Sequence, residues 1–140
     1  FVGKPTKIDD KLIKSIIKEN FIPVISPMGI DEKKQTYNIN ADTAAGALAK
    51  SLRSRRLMLM TDVEGVYNKE KKLISEIKSA EAEKLLYDGT ITEGMIPKMR
   101  TCIDAIENGV RGVVIIDGRK SHSILFELFS DKGSGTLIRK

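Results

Sequence analysis

The chain has 140 residues, enough for one domain that closes its own core without disulfides or metal. With 41% hydrophobic and 31% charged residues it reads as a globular protein and not a disordered one, and no apolar run approaches the roughly 18 residues a membrane helix needs. The formal charge of +5 is scattered along the chain and aromatics are only 5%, so small anions are expected as partners and nucleic acid is not.

Cys102 stands alone, which excludes an internal disulfide framework and fits a reducing cytoplasm. The start, Phe1-Val2-Gly3-Lys4-Pro5, has no basic stretch followed by an apolar one, so no secretory signal is expected there. Asp9 and Asp10 precede Leu12, Ile13, Ile16 and Ile17 at helical spacing, with Asn20 as a stop. Phe21 to Ser26 reads as a short buried strand, although Pro23 inside it favours an edge or a bulge. Met28 to Asp31, with Glu32, Lys33 and Lys34, reads as a solvated turn before a second strand from Gln35 to Ile39.

Asn40 is placed to cap a helix of about three turns whose apolar face, Ala41, Ala44, Ala45, Leu48, Ala49 and Leu52, is small enough to lie close to a sheet. Leu57 to Thr61 is a continuous apolar run, the pattern of a strand buried on both faces, and Asp62 and Gly65 follow its carboxyl end. In open α/β sheets ligands bind beyond that end. A short strand is expected near Leu73 to Ile77, then a helix capped by Ser79 and stopped by Gly89. Pro97 suits the first turn of a further helix carrying Ile96, Met99, Ile103 and Ile106, which Asn108-Gly109 ends. Val113 to Ile116 is the next buried strand, Ile124, Leu125, Leu128 and Phe129 mark a last helix, and Thr136 to Ile138 a last strand. This alternation argues for an α/β layered sheet of mainly parallel strands.

Two helix mouths draw attention, one at Asn38-Ile39-Asn40-Ala41-Asp42 and one at Gly94-Met95-Ile96-Pro97-Lys98. Unpaired N–H groups and the positive end of the dipole suit such mouths to phosphate. A lysine there is unfavourable unless an anion joins it, so Lys98 is the residue that most needs an explanation. Asp42 could hold it, or could be no more than a dipole partner, and Asn38 and Asn40 could be plain turn and cap residues. Asp62 and Gly65 are equally a strand-ending turn or a ligand loop. His122 alone is more often a surface or capping residue, and Lys69-Glu70-Lys71-Lys72 reads as a solvated tip.

Through Phe21-Ile22-Pro23-Val24-Ile25-Ser26-Pro27, Tyr37-Asn38-Ile39-Asn40-Ala41-Asp42, Thr61-Asp62-Val63-Glu64-Gly65-Val66-Tyr67, Gly94-Met95-Ile96-Pro97-Lys98, His122-Ser123-Ile124-Leu125 and Gly133-Ser134-Gly135-Thr136, in that order, the chain resembles the acetylglutamate kinases of the amino-acid kinase family. The resemblance implies a three-layer αβα sandwich with a mainly parallel central sheet, and transfer of the ATP γ-phosphoryl group, with Mg²⁺, to the side-chain carboxylate of N-acetyl-L-glutamate in arginine biosynthesis. It assigns Lys98 to the transferring phosphoryl group, Asp42 to orienting catalytic lysines, and Asn38 to acetylglutamate. Asp62, Val63, Glu64, Gly65, Val66 and Tyr67 match the nucleotide loop, and Thr90, Ile91 and Thr92 a second nucleotide contact. His122, Glu127 and Gly133 match an arginine effector site, and a carboxylate such as Glu127 suits a guanidinium or an amino group.

Only the carboxyl-terminal half of such enzymes is matched. Residues 1–140 would then form a single ATP-binding lobe, without the amino-terminal lobe that carries a glycine-rich segment and a second lysine, and the piece alone would be inactive. At full length the resemblance implies a homo-oligomer working in the cytoplasm. The alternatives are another amino-acid kinase, or a non-catalytic module that binds nucleotide or arginine.

Overall fold

The computed structural model describes residues 1–91 and 94–140, so Thr92, matched above to a nucleotide contact, lies outside the described residues. The elements in order are β1 (Val2–Gly3), α1 (Lys11–Lys18), β2 (Met28–Ile30), β3 (Thr36–Ile39), α2 (Ala41–Ser51), β4 (Leu57–Thr61), β5 (Glu76–Lys78), α3 (Ser79–Tyr87), α4 (Ile96–Glu107), β6 (Val113–Asp117), α5 (Ser123–Phe129) and β7 (Gly135–Arg139). The fold is α/β with helices on both faces of its larger sheet. Among the described residues the strands form two sheets, β1-β3-β2 and β4-β6-β7-β5. Parallel pairing joins β1 to β3, β4 to β6 and β5 to β7, whereas β2–β3 and β6–β7 are antiparallel.

The core follows from β6, whose five residues are all buried, as the unbroken apolar run Val113 to Ile116 predicts. Side chains alternate across a strand, so Val113 and Ile115 join Leu57, Leu59 and Ile138 beneath the helices α2, α3 and α4. Val114 and Ile116 point to the other face, where α5 packs on β6. The apolar residues of α4, Met99, Ile103 and Ile106, fill the first of these layers, while Ser123 and Glu127 are the buried residues of α5.

Several expectations are corrected. Phe21 to Ser26 forms no strand and its apolar side chains are exposed, because among the described residues no strand lies beside it to pair its backbone. Met28–Ile30, expected as a turn, is strand β2, paired antiparallel with Thr36–Ile39, and the turn begins at Asp31, whose carboxylate accepts the N–H groups of Lys33 and Gln35. The strand expected near Leu73 begins at Glu76, Leu73 making only a single bridge to Tyr67. Ser79 is the first helical residue and not the cap. Lys78 caps α3 through its backbone, with Glu81 accepting its N–H at 3.3 Å. The helix marked by Ile124, Leu125, Leu128 and Phe129 forms as α5, and Leu125, Leu128 and Phe129 face solvent.

Candidate active site

The strand β3 passes directly into α2 at Asn40, whose Oδ1 accepts the Thr43 N–H at 3.1 Å and the Thr43 hydroxyl at 3.3 Å, so Asn40 is a cap as the sequence suggested. Asn38 lies two residues earlier on β3, exposed, opposite Met28 on one side and Val2 on the other. The second mouth opens at Met95, with Pro97 in the first turn of α4 and no side-chain cap.

α2 and α4 run side by side in the same direction. Three contacts at successive turns show this: Asp42 with Lys98, Gly46 with Thr101, and Lys50 with Asp104. The small-residue face of α2 therefore comes closest to a helix, not only to the sheet. A Cβ on Gly46 would stand 2.8 Å from Thr101 Cγ2, so only glycine permits this separation without a shift. Parallel alignment brings two positive helix ends together, an arrangement that favours an anion between them. At that end Lys98 Nζ lies 2.5 Å from Asp42 Oδ2, with the side chains only 15% and 27% exposed. The carboxylate accepts one proton of the ammonium and stands in the first turn of α2, at the positive end of that helix.

The second part of the site lies beyond the carboxyl end of β4. Here the residues Asp62 to Tyr67 form a loop tied down at Val66, whose N–H donates to the Thr136 hydroxyl at 2.8 Å and whose carbonyl accepts the Ile74 N–H at 2.8 Å. Gly65 is required by close approach, since a Cβ there would fall 2.4 Å from Thr136 Oγ1. Tyr67 donates its hydroxyl to Glu64 at 2.9 Å, which pushes its ionisation above the ordinary tyrosine value. Asp62 and Glu64 themselves are exposed.

Two cavities adjoin this loop. A small one of about 100 Å³ brings Val63, Gly65, Val66 and Tyr67 together with Thr90 and Ile91, joining the two sequence segments matched to nucleotide. Met95 also lines it, and Met95 caps α4, so the cavity reaches toward the helix that carries Lys98. A larger cleft of about 580 Å³ continues from Tyr67 and Thr90 past Asn68, Lys69, Lys71 and Asp88. Neither is lined by Lys98, Asp42 or Asn38, which stand at the adjoining helix mouth.

Lys69 and Lys71, exposed in the solvated tip the sequence suggested, also line this cleft, and Asp88 was not singled out in the sequence. Asp88 accepts the Thr90 hydroxyl at 2.5 Å and the Thr90 N–H at 3.0 Å, and pairs with Lys69 at 2.9 Å. Together these bonds pull its carboxyl down to about 2, the Thr90 hydroxyl contributing most. Asp117 was also missed. It ends β6 opposite Thr61 and accepts two side-chain bonds from Arg119 at 3.0 Å, which hold it below the usual carboxylate value.

The residues matched to arginine divide. Glu127 and Gly133 line a cavity of about 250 Å³ with Arg56, Ser130 and Lys132, whereas His122, exposed and in the left-handed region just before α5, is not among the lining residues. Glu127 is 6% exposed and already satisfied, accepting Arg56 Nη1 at 2.8 Å and the Ser134 N–H at 3.1 Å. Among the described residues no group of three His, Cys, Asp or Glu is placed to hold a metal ion, and no helix is long and apolar enough to cross a membrane.

Comparison with known proteins places these features in context. The chain is 59% identical over 140 residues to the acetylglutamate kinase of Pelagibacter ubique (strain HTCC1062), covering all of this chain and 49% of that protein. To the acetylglutamate kinase of Afipia carboxidovorans it is 54% identical, covering 48% of that protein. The chain thus spans about half the length of these relatives. Among solved structures it superposes on N-acetylglutamate synthase from Neisseria gonorrhoeae, complexed with coenzyme A and L-arginine, with a TM-score of 0.94 at 26% identity, over 100% of this chain and 32% of that one. Giardia lamblia carbamate kinase bound to AMP-PNP matches with a TM-score of 0.75 at 26% identity, over 99% of this chain and 47% of that one. The model of the amino acid kinase family matches residues 1–117, which carry both helix mouths and the loop beyond β4, and the chain belongs to that family.

Proposed function

We propose that these 140 residues are the nucleotide-binding portion of an acetylglutamate kinase, and that phosphoryl transfer from ATP to N-acetyl-L-glutamate requires the half of the enzyme they do not span. The observation that carries this reading is the meeting of Lys98 and Asp42 at the shared amino-terminal end of two parallel helices. In the reaction a carboxylate oxygen of the acceptor forms a bond to the γ-phosphorus as the bond to the bridging oxygen of ADP breaks. Charge on the transferring group is then met by the Lys98 ammonium and by helix N–H groups in a partly water-excluded site. Asp42 orients the lysine. The loop Asp62 to Tyr67, with Thr90 and Ile91, would hold the nucleotide, and Asn38, on the strand leading to α2, would contact acetylglutamate. Mg²⁺ would arrive on the triphosphate, since the described residues offer no three-residue cluster for a resident ion. An ATP-dependent enzyme of arginine biosynthesis would work in the cytoplasm.

The test is calorimetric titration of the chain with ATP and ADP, followed by an assay of acetylglutamate-dependent ADP formation after the missing half is supplied. Binding without turnover by the chain alone, and turnover on complementation that Lys98→Ala abolishes, is the expected pair of results. Turnover by the chain alone would refute the requirement for a second half.

One observation favours an additional reading for the cavity at Glu127. Its carboxylate already holds one guanidinium, that of Arg56, so it has the chemistry to accept free arginine. Arginine would then compete with Arg56. Titration with arginine should show binding that strengthens in Arg56→Ala.

A further inference from the structure

Gly46 is a poor residue for the place it holds. It stands in the middle of α2, where glycine weakens a helix relative to alanine, and no left-handed backbone requires it there. The reason for it lies on α4. Asp42, Gly46 and Lys50 are spaced by four along α2, and they meet Lys98, Thr101 and Asp104, spaced by three along α4. Rows of four against rows of three give helices that cross at only about 20°, so the separation at the middle contact is carried almost unchanged to both ends. That middle contact is Gly46 with Thr101, and an ion pair stands at each end. The acid lies on α2 in one pair and on α4 in the other, which selects the register. Lysine stems are long and flexible, so the ion pairs leave the distance between the helices to the short contact.

Thr101 cannot turn its methyl aside. Its hydroxyl donates to the Pro97 carbonyl at 3.1 Å, one turn earlier and next to Lys98, and a β-branched side chain held by that bond keeps its Cγ2 in place. A Cβ on Gly46 would lie 2.8 Å from this methyl. Carbon atoms settle about 3.5–4 Å apart, so a side chain at position 46 would part the helices by roughly 1 Å. We propose that Gly46 and Thr101 are positioning residues: glycine against the fixed methyl sets the distance between α2 and α4, and that distance holds the Lys98 ammonium on Asp42 at the mouth where the phosphoryl group is transferred. This deepens the functional reading above and rests on it only for the reaction that the pair serves. Gly46 acts from one turn below the mouth, through Asp42 and Lys98.

The protein for the test is this chain joined in one polypeptide to the portion of the Pelagibacter ubique acetylglutamate kinase that it does not match. Gly46→Ala adds the methyl. Gly46→Ala with Thr101→Ser moves it across the interface, because serine keeps the hydroxyl bond to Pro97 and lacks Cγ2. In each background the coupling of Lys98 to Asp42 is read from urea unfolding of the two single alanine variants and the double one. The parent should show a coupling of about tenfold in the unfolding constant, Gly46→Ala should bring it within about twofold of none, and the methyl exchange should restore it. The kcat for acetylglutamate-dependent ADP formation should follow the same order, falling about tenfold or more in Gly46→Ala with the KM for ATP little changed, and recovering in the exchange variant. A glycine with a merely structural role predicts otherwise, since its replacement would shift the unfolding midpoint and leave the coupling alone. A parent without coupling would overturn the proposal, as would coupling unchanged in Gly46→Ala or lost alike in both variants. If Gly46→Ala does not fold, the exchange variant decides, since it must fold and couple as the parent does. Coupling that follows the methyl in a protein without turnover defeats the functional reading and leaves the positioning, and turnover indifferent to Gly46→Ala does the reverse.

Discussion

Thr136 on β7 holds Val66 in place: its hydroxyl accepts the Val66 N–H at 2.8 Å and donates to the Ile74 carbonyl at 2.6 Å. One fully buried side chain thereby ties the loop beyond β4 to the segment leading into β5. Thr136→Val keeps the shape and removes the hydroxyl, leaving a buried N–H without a partner. The expected cost is about 2 kcal/mol in urea denaturation, together with weaker nucleotide binding, whereas Thr136→Ser should retain most of both.

The Lys98–Asp42 pair should matter more for reaction than for folding. A lysine in the first turn of a helix opposes the dipole, so Lys98→Ala removes an unfavourable term along with a favourable ion pair. In the complemented enzyme, Lys98→Ala is expected to lower kcat by about a hundredfold or more with a much smaller change in the unfolding midpoint. Asp42→Asn should act in the same direction by releasing the lysine. Steady-state kinetics beside thermal denaturation of each variant check the difference.

Asp88 gives the fold a definite acid dependence. Its carboxyl is drawn from the ordinary 3.8 to about 2 by Thr90 and Lys69. A lowered pKa in the folded state means that the ionised group favours folding above about pH 4, and that this contribution disappears as the pH falls toward 2. Carbon-detected titration of the Asp88 carboxyl should give a midpoint near 2, and the stability gap between the parent and Asp88→Asn should close over the same interval. A midpoint near 4 would show that the Thr90 and Lys69 bonds are absent in solution. Because Asp88 shapes the turn that presents Thr90 to the cleft, Asp88→Asn should also weaken nucleotide binding.

Cys102 lies buried in α4, one turn beyond Lys98, and burial pushes its thiol up to about 12. Thiolate is then negligible near neutrality. Iodoacetamide at pH 8 should leave the folded chain unmodified and label it stoichiometrically in urea, as read by mass spectrometry.

Much of this molecule was written locally. Asn40 announced its helix by capping chemistry, Pro97 and Asn108-Gly109 bracketed α4, and the unbroken apolar run of β6 declared burial on both faces. Even Lys98 was conspicuous by itself, since a cation at a helix mouth conflicts with the dipole. Such signals depend on neighbours within a few residues, which is why a single sequence displays them.

The tertiary structure decided what distant segments do to one another. That Asp42 reaches Lys98 follows from the parallel alignment of α2 and α4, whose contacts span more than fifty positions and leave no periodic trace. Lys69 stays in a solvated tip yet also pairs with Asp88 for the same reason, and α5 buried Ser123 and Glu127 in place of its leucines because Arg56 and Ser134 meet Glu127 from other elements. Residues 21–26 mark the boundary between the two kinds of information. Their pattern reads as a strand, but a strand forms only beside partners that pair with it, and among the described residues none pairs with them.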